Sequence, residues 1–490
     1  MRTAVASVRI GAITAAASVL IVTACKVGPN YERPQLLPAE LWSQPAQGQI
    51  TAAEPELREW WKRFNDPVLN QLITQSEESN ATIEQSLANV RVSLAALGVS
   101  ESQFWPSIKV GAEFTRNKTN VSLLAAQGVE TSPYNVWATG AMMASWEIDI
   151  WGRVARMVES SKATLESNVE DLRNVLISVR GQVGTTYMTV RTLQVEMAIL
   201  AAAVGNSKMT LDLAKLRFQA GTNTMLDVSE AQSNLETIEA TIPKIIGQLD
   251  TAIYSLAQLC GTTPGPMKIL LGAPAPLPTM TEEIGVGIPA ELLRRRPDVR
   301  SSERLVAAAV ANIGANEALN LPIFSLSGNF YVASDQFSGL GNGSNAAYGF
   351  GPSISWLIFQ GGYVNSMIAQ SKGQAQVALA SYRDTILEAM RDTETSISLL
   401  VTSRESAKRY STATKSSQET YDLAQLQYRA GTIDLNRLMD IQNSLLKTQR
   451  SLADAEGSVA QNIVGLYRAL GGGWDDGAVN RAAERSAAMK

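Results

Sequence analysis

The period of apolar and polar residues changes along this chain, and each change occurs twice. A helix predicted over about Ala81–Gln103 must stop at Trp105-Pro106, because proline lacks the amide hydrogen and turns the residue before it toward extended geometry. A period of two then takes over. Ile108, Val110, Ala112 and Phe114 share one face, and Ser107, Lys109, Glu113 and Thr115 the other. Further on, Val136, Ala138, Met142, Ala144, Trp146 and Ile148 alternate with Asn135, Thr139, Ser145, Glu147 and Asp149. These patterns predict strands over about 107–115 and 135–149. A second helix, about Val299–Leu319, stops at Leu321-Pro322. Strands over about 323–332 and 347–358 follow, with Phe324, Leu326, Phe330 and Val332, then Tyr348, Phe350, Ile354, Trp356 and Ile358, on the apolar face.

After each strand pair the period lengthens again. Gly152 to Ala220 and Gly362 to Ala430 contain no proline. Near seventy residues at about 1.5 Å each make a helix of roughly 100 Å, which no globular core requires. Ala-Gly-Thr at 220–222 and again at 430–432 then predicts a reversing turn, with glycine taking the positive φ that other residues resist. Return helices run to about Leu259 and Leu470 and stop at Gly261 and Gly471. Pro243 is placed to kink the first of them, whereas Ala453 holds the same place in the second.

This is one unit written twice. Leu213–Thr222 recurs as Leu423–Thr432, 210 residues later, and the same offset pairs Ser145-Trp146 with Ser355-Trp356, Gln232 with Gln442 and Gly261 with Gly471. Upstream the offset is 216, pairing Gly98 with Gly314 and Pro106 with Pro322, so the first copy holds six more residues between Pro106 and Trp146. The divisions are a leader at 1–24, an N-terminal segment at 25–65 and a first repeat at 66–261. A Pro- and Gly-rich linker at 262–290, a second repeat at 291–471 and a tail at 472–490 complete them.

Strands apolar on one face and small or polar on the other suit a membrane barrel with a wet lumen. The competing reading is two soluble hairpins on a core, with Lys109, Glu113, Glu147 and Asp149 solvated. Four strands cannot close a barrel, and an open edge in lipid would leave backbone groups costing several kcal/mol each. If these strands enter a membrane the chain must therefore oligomerise, and three copies would supply twelve strands.

Composition narrows the chemistry. The 490 residues carry a net charge of −4 and no histidine, and aromatics make up 6%. Without residues 1–24, which hold Arg2 and Arg9 and no acid, the charge is two units more negative. Such a balance carries no signature of nucleic acid, and Arg294–Arg296 reads as a solvated, ion-paired cluster beside Asp298 and Glu303. The missing histidines remove the commonest metal ligand and acid–base group. No nucleophile elbow, motif-placed carboxylate pair or metal-ligand spacing replaces them, so no enzyme, cofactor or metal is expected. The Gly-rich stretch Ser338–Ser344 lacks the strand-to-helix setting of a phosphate-binding loop. Adjacent Met142 and Met143 point to opposite strand faces and form no soft-metal ladder.

Two cysteines, Cys25 and Cys260, do not make a disulfide framework. A basic start, an apolar run over Ile10–Val22 and then Val22-Thr23-Ala24-Cys25 form a secretory leader. Leu20 through Cys25 resembles a bacterial lipobox, which implies that Cys25 is lipidated, and Lys26 after it favours the outer membrane by the same analogy. Several acyl chains at about 0.8 kcal/mol per buried methylene would anchor it firmly. Cys260 reads as a buried structural thiol near a helix end.

Three segments in order, Cys25–Pro34, Trp60–Leu69 and Leu293–Arg300, together with the duplication, resemble the lipoprotein branch of the TolC-like outer membrane factor family, the efflux outer membrane lipoproteins. The resemblance covers nearly the whole mature chain. It implies a mixed α+β membrane protein, a homotrimer with a twelve-stranded transmembrane β-barrel continued by a long periplasmic α-helical barrel. Residues 25–65 and the inter-repeat linker would build an equatorial collar. It further implies an outer-membrane exit duct for small toxic compounds or drugs. A periplasmic adaptor would dock at Gly221, Thr222, Gly431 and Thr432 and connect to an inner-membrane pump of the resistance-nodulation-division type. The family places acidic residues soon after these glycines to narrow the resting entrance, and Asp227 and Asp440 match that pattern. Arg437 departs from it, standing where some members carry Asp, and is placed to pair with Asp227 or Asp440 and hold the entrance shut. The other reading leaves these charges idle on exposed helix ends. The rival function is a structural or adhesive outer-membrane lipoprotein without a pump, which would need neither the strand alternation nor the duplication.

Overall fold

A computed structural model of the chain describes residues 26–34, 50–51, 57–118, 134–280, 284–286, 294–334 and 342–474. Cys25, the leader and the tail beyond 474 lie outside the described residues. The chain forms two compact units, and neither coincides with a sequence repeat: each takes segments from both copies.

The first unit comprises residues 1–34, 91–167 and 302–382. Its centre is an antiparallel sheet of β2 (Ser107–Lys118), β3 (Tyr134–Ile148), β5 (Ile323–Ser334) and β6 (Ala346–Ser355), in that order. The strands fall within a few residues of the predicted bounds. β6 departs most, ending at Ser355 and leaving Trp356 and Ile358 beyond the ladder. An indole closes the same joint in both copies: Trp146 Nε1 donates to Phe104 O, and Trp356 Nε1 to Asn320 O, each at 2.9 Å.

Residues 26–34 are strapped into this unit. The buried Arg156 donates to Val27 O, Gly28 O and Asn30 Oδ1 at 3.1, 3.2 and 2.8 Å. Gly28, at φ +89°, lies so close to Gly314 that any Cβ would overlap its Cα. Glu303 is 4% exposed and accepts from Tyr31 Oη, Arg33 and Arg304 at 2.9, 2.6 and 2.6 Å. Burial alone would raise its pKa, but those donors outweigh it and hold the carboxyl below its ordinary value.

The second unit comprises 35–90, 168–301 and 383–490. It holds α1 (Pro67–Ser79), α4 (Met225–Glu239), α5 (Ile242–Leu259), α6 (Pro264–Leu271) and α9 (Leu435–Ala469). A two-residue parallel bridge joins β1 (Ile50–Thr51) to β4 (Ile284–Gly285). Four helices contribute to both units: α2 (Ala81–Ser102), α3 (Arg153–Gln219), α7 (Pro297–Glu317) and α8 (Tyr363–Ala430). Helices α3 and α8 run 67 and 68 residues without a break, as the absence of proline predicts. The first return helix does break, between Glu239 and Ile242 just before Pro243, while α9 continues through Ala453.

A buried cluster closes this unit around Trp60, which stacks on Tyr467 at 5.6 Å between centroids. Asp66 caps α1 through Val68 and Leu69 and also accepts from Tyr187 Oη at 2.6 Å, so the Asp66-Pro67 pair both starts a helix and ties it down. Cys260 is fully buried at the end of α5, where burial pushes its thiol up to about 11, and an inert structural thiol is what results. Arg296 corrects the expectation of a solvated cluster. It is 8% exposed, ion-pairs with Asp298 at 2.6 Å and donates to Ala389 O and Ala469 O. Its planar guanidinium can satisfy both carbonyls and the carboxylate at once, which is why a charge is tolerated there. Glu303, expected to serve the same cluster, instead pairs with Arg33 and Arg304.

Candidate functional site

The sheet of the first unit carries one apolar face across all four strands. Val110, Met142, Phe330 and Tyr348 stand in register, with Met142 and Phe330 on the two inner strands. These four are 77, 47, 43 and 77% exposed, far more than a water-soluble sheet leaves on its apolar side. Ile108, Phe350 and Ile354, each at least 67% exposed, extend the face. The opposite face holds Ser145, Ser327 and Gly351 in one row and Glu147, Ser325 and Ser353 in another, with Ser325 and Ser353 hydrogen-bonded at 3.1 Å. Met143 and Tyr331, 56 and 38% exposed, are large side chains on this otherwise small or polar face. Strands β2 and β6 are the sheet's two edges, each paired on one side only among the described residues.

The two strand-to-helix joints of this unit differ. In the first copy Arg153 holds Glu147 through two hydrogen bonds of 2.8 and 2.7 Å, and Asp149 accepts from Val154 N and Ala155 N. The matching second-copy residues are Leu357 and Phe359, 57 and 90% exposed, with Ile358 between them at 83%. Glu147 and Asp149 are therefore joint-forming groups rather than solvated ones.

In the second unit the two predicted turns share one construction. Gly221 and Gly431 have φ of +74° and +80°. Gly221 N donates to Phe218 O and Thr222 N to Arg217 O, and Gly431 N and Thr432 N repeat the pattern to Tyr428 O and Gln427 O. This is the six-to-one and five-to-two closure of a helix end, for which a left-handed residue is required. The threonine adds a second donor, its hydroxyl reaching the same carbonyl at 3.1 Å in the first turn and 3.0 Å in the second. That duplicated bond explains why Thr follows Gly both times.

The charges behind the turns are divided between capping and surface. Asp227 accepts from Thr224 N at 2.7 Å while Thr224 Oγ1 accepts from Asp227 N, a reciprocal cap at the start of α4. The equivalent residue in the second copy is Arg437, and there Asp434 caps α9 by accepting from Arg437 N at 2.7 Å. The carboxylate has moved three residues, from inside the helix to its cap, which frees the position of Arg437. Arg437 and Asp440 are both exposed and line one polar groove of about 260 Å³ with Ser417, Thr420 and Ser444. Among the described residues of the chain, Arg437 forms no ion pair with Asp227 or Asp440.

Sequence reasoning missed the group that links the turns. Arg217 Nη2 donates to Tyr428 O at 2.6 Å, its guanidinium lies 4.4 Å from the Tyr428 ring centroid, and Asn223 reaches Tyr428 Oη at 3.2 Å. Gln427 occupies the place of Arg217 in the second copy, so the link runs one way. Beneath it Leu211, Val228, Tyr421, Tyr428, Leu435 and Leu438 form a small core. Leu216, Leu226, Leu423 and Leu426 stay 61 to 66% exposed around the turns.

The sequence profile of the outer membrane efflux protein family matches residues 72–262 and 288–472. The chain is 28% identical to outer membrane protein OprJ of Pseudomonas aeruginosa over 459 residues, 94% of this chain and 95% of the relative. It is 26% identical to nodulation protein T of Rhizobium leguminosarum bv. trifolii, over 93% of this chain and 96% of that one. Its structure is similar to that of the outer-membrane channel OprN, with a TM-score of 0.84 and 30% identity, covering 92% of this chain and all of the other.

Proposed function

The chain belongs to the outer membrane efflux protein family and is an efflux channel of the outer membrane, and from that premise we propose how it assembles and works. It forms a homotrimer that serves as the passive exit duct of a tripartite export system. The observation that carries this reading is the four-stranded sheet with an exposed apolar face and two open edges. Lipid accepts the apolar face, but not an edge of unpaired amides and carbonyls. β6 of one copy runs antiparallel to β2 of the next if the order β2-β3-β5-β6 is continued, so three copies close twelve strands around a lumen lined by the serine and glycine face.

The two turns form the periplasmic tip. Gly221-Thr222 and Gly431-Thr432 fix its shape, and the exposed Leu216, Leu226, Leu423 and Leu426 offer an adaptor protein apolar anchors. The adaptor connects the duct to an inner-membrane pump of the resistance-nodulation-division type, and that pump selects among small toxic compounds or drugs. Cys25 carries the acyl anchor, and residues 26–34 are strapped just after it by Arg156 and Glu303. Asp227, Arg437 and Asp440 narrow the entrance. Asp227 does so at a position set by its cap, and Arg437 and Asp440 do so from one groove.

Photo-crosslinkers placed next to Gly221 and Gly431 in living cells test this reading. Mass spectrometry of the products should identify a periplasmic adaptor. Capture of nothing, by a trimer that is intact in the outer membrane, would overturn the tripartite assignment.

A further inference from the structure

The first unit contains one joint between the repeats, and its outer elements are the two halves of a second. Inside the chain β3 of the first copy pairs with β5 of the second, from Ala138 opposite Ser334 to Ile148 opposite Phe324. The helices joined to those strands pack together as well. Ala163 of α3 is buried with Ala307 and Ala308 of α7, and Arg304 reaches Glu166 at 3.4 Å. In the duplication β6 is the counterpart of β3, β2 of β5, α8 of α3 and α2 of α7. The register obeys the duplication too. Ser107 stands opposite Ser145, and the residues 216 and 210 places further on, Ile323 and Ser355, stand opposite each other. Both hairpins therefore keep one register, and the same offsets carry the β3–β5 pairing onto the sheet's two open edges. Ile148 opposite Phe324 becomes Ile358 opposite Ile108, and Trp146 opposite Leu326 becomes Trp356 opposite Val110. Within one sheet these edges are three strand spacings apart, about 14 Å, and face away from each other, so only a second copy can join them.

The outer elements carry the surface of a joint left open. Ile108, Val110, Trp356 and Ile358 are all exposed, although the alternation continues through Ile358 past the end of the β6 ladder. Where the internal joint has Glu147 clamped by Arg153, the outer one has Leu357 and Tyr363, both exposed. The helices show a matched change of size. The counterparts of the buried Ala163 and Ala308 are Gly373 and Val92. Val92 of α2 is 67% exposed, and among the described residues Gly373 of α8 has nothing within reach of a Cβ. The larger side chain of one helix thus stands where the other has lost its own, as close packing between them requires.

We propose that the joint between copies repeats the joint inside the chain. β6 pairs with β2 of the next copy through Ile358 opposite Ile108 and Trp356 opposite Val110, and Val92 of the next copy packs over Gly373. This rests on the trimeric reading above and fixes its register. A slip of one residue would turn the apolar face of one copy against the polar face of the next. A slip of two keeps the faces matched, and it is the duplication that selects against it. The contact joins one edge to the opposite edge, the head-to-tail kind that closes a ring. It differs from the internal joint in having no strap. Lys26 packs against Gly152 and Val27 O against Gly314, held by Arg156 and Glu303. Ser366 and Leu87 stand at the places of Arg156 and Glu303 in the other copy. Gly362 and Gly98, the counterparts of the two glycines, meet nothing within reach of a Cβ among the described residues. The joint between copies therefore closes on the side chains of its strands and helices alone.

Paired cysteines in the full-length protein test the register in isolated outer membranes under mild oxidation, read on non-reducing gels. Cys260 is buried and stays out of the reaction. The Ile108→Cys, Ile358→Cys variant and the Val110→Cys, Trp356→Cys variant place thiols directly opposite, with Cα atoms about 4.5–5.5 Å apart, and should yield covalent trimers. The Ile108→Cys, Trp356→Cys variant and the Val110→Cys, Ile358→Cys variant are each two residues off, about 7–8 Å apart, and should link far less. Equal or stronger linking in the shifted pairs would overturn the register and leave the trimer standing. No linking by any pair, in chains that native mass spectrometry finds as trimers, would overturn the joint of β6 with β2. No linking in chains found only as monomers would overturn the trimeric reading as well. For the helices, Gly373→Leu should lower the temperature at which the purified trimer dissociates, and adding Val92→Ala should restore it. An unchanged temperature in Gly373→Leu would overturn the packing of α8 on α2 of the next copy.

Discussion

Gly247 and Gly457 occupy one position of the duplicated unit, 210 residues apart, and meet opposite surroundings. Among the described residues Gly247 has no neighbour within reach of a Cβ, and Gly457 is pressed against Thr192. The turns show the same division. Both are closed by Gly-Thr, but the first helix start is capped by Thr224 with Asp227 and the second by Asp434 alone. At the strand-to-helix joints, Glu147 and Asp149 are bound in one copy where Leu357 and Phe359 stand exposed in the other. Duplication therefore preserves the backbone closures, which depend on glycine conformation and amide geometry. The halves diverge at single side chains that decide what each helix may approach.

The largest break in this comparison should come from adding a side chain at the paired glycines. Gly457→Val overpacks the contact with Thr192 and is expected to destabilise the protein by about 1–3 kcal/mol. Gly247→Val enters open space and should be neutral, or stabilising by up to about 0.5 kcal/mol, since glycine is a poor helix residue. Thermal unfolding of the detergent-solubilised protein reads both. Equal losses would mean that the two return helices pack alike after all.

Alanine at the turn glycines should cost less than the valine at Gly457, about 1–2 kcal/mol each, because positive φ forces Cβ toward the following carbonyl. The strain belongs to the backbone, so the two turns should suffer equally; a loss at only one would show that its Schellman closure is replaceable. Removing the caps follows. Asp434→Ala should cost about 1 kcal/mol, as it leaves the Arg437 amide without its acceptor. Asp227→Ala should cost less, since Thr224 keeps its own side chain at the cap. Chemical denaturation of the single variants orders them, and a reversed order would place the working cap of α4 at Asp227.

Much of this was legible in the sequence because it depends on period and on breaker residues. The long helices start and stop within a residue or two of the proline-free runs, and the turn glycines stand where Ala-Gly-Thr places them. Strand alternation survives in the register, Val110 opposite Met142 and Met142 opposite Phe330. What was illegible arises between segments far apart. Nothing local marks Arg217 as the partner of Tyr428, Arg156 as the clamp on residues 27–30, or Arg296 as a buried donor to Ala469 O. Asp434 carries a legible signal, since an acid at a helix start three residues before Arg437 is an ordinary cap. Trp356 and Ile358 kept the alternation of β6 without its ladder, because an edge strand ends where its one partner ends.

The smallest effect on stability, and the one most telling for function, is expected at Arg437 and Asp440. Both side chains are exposed, and among the described residues neither makes a side-chain hydrogen bond or ion pair. Arg437→Ala and Asp440→Ala should therefore each shift unfolding by no more than about 0.5 kcal/mol. Asp227 differs, because its carboxylate is committed to Thr224 and cannot be removed without loosening α4. That contrast separates gating from capping. If exposed charges from three copies narrow the entrance, the Arg437→Ala, Asp440→Ala double variant should raise resting conductance in planar bilayers while leaving unfolding unchanged. Asp227→Ala would raise conductance only together with a loss of stability. Unchanged conductance in a well-folded double variant would remove Arg437 and Asp440 from the gate and leave the carboxylates behind the turns with capping as their whole role.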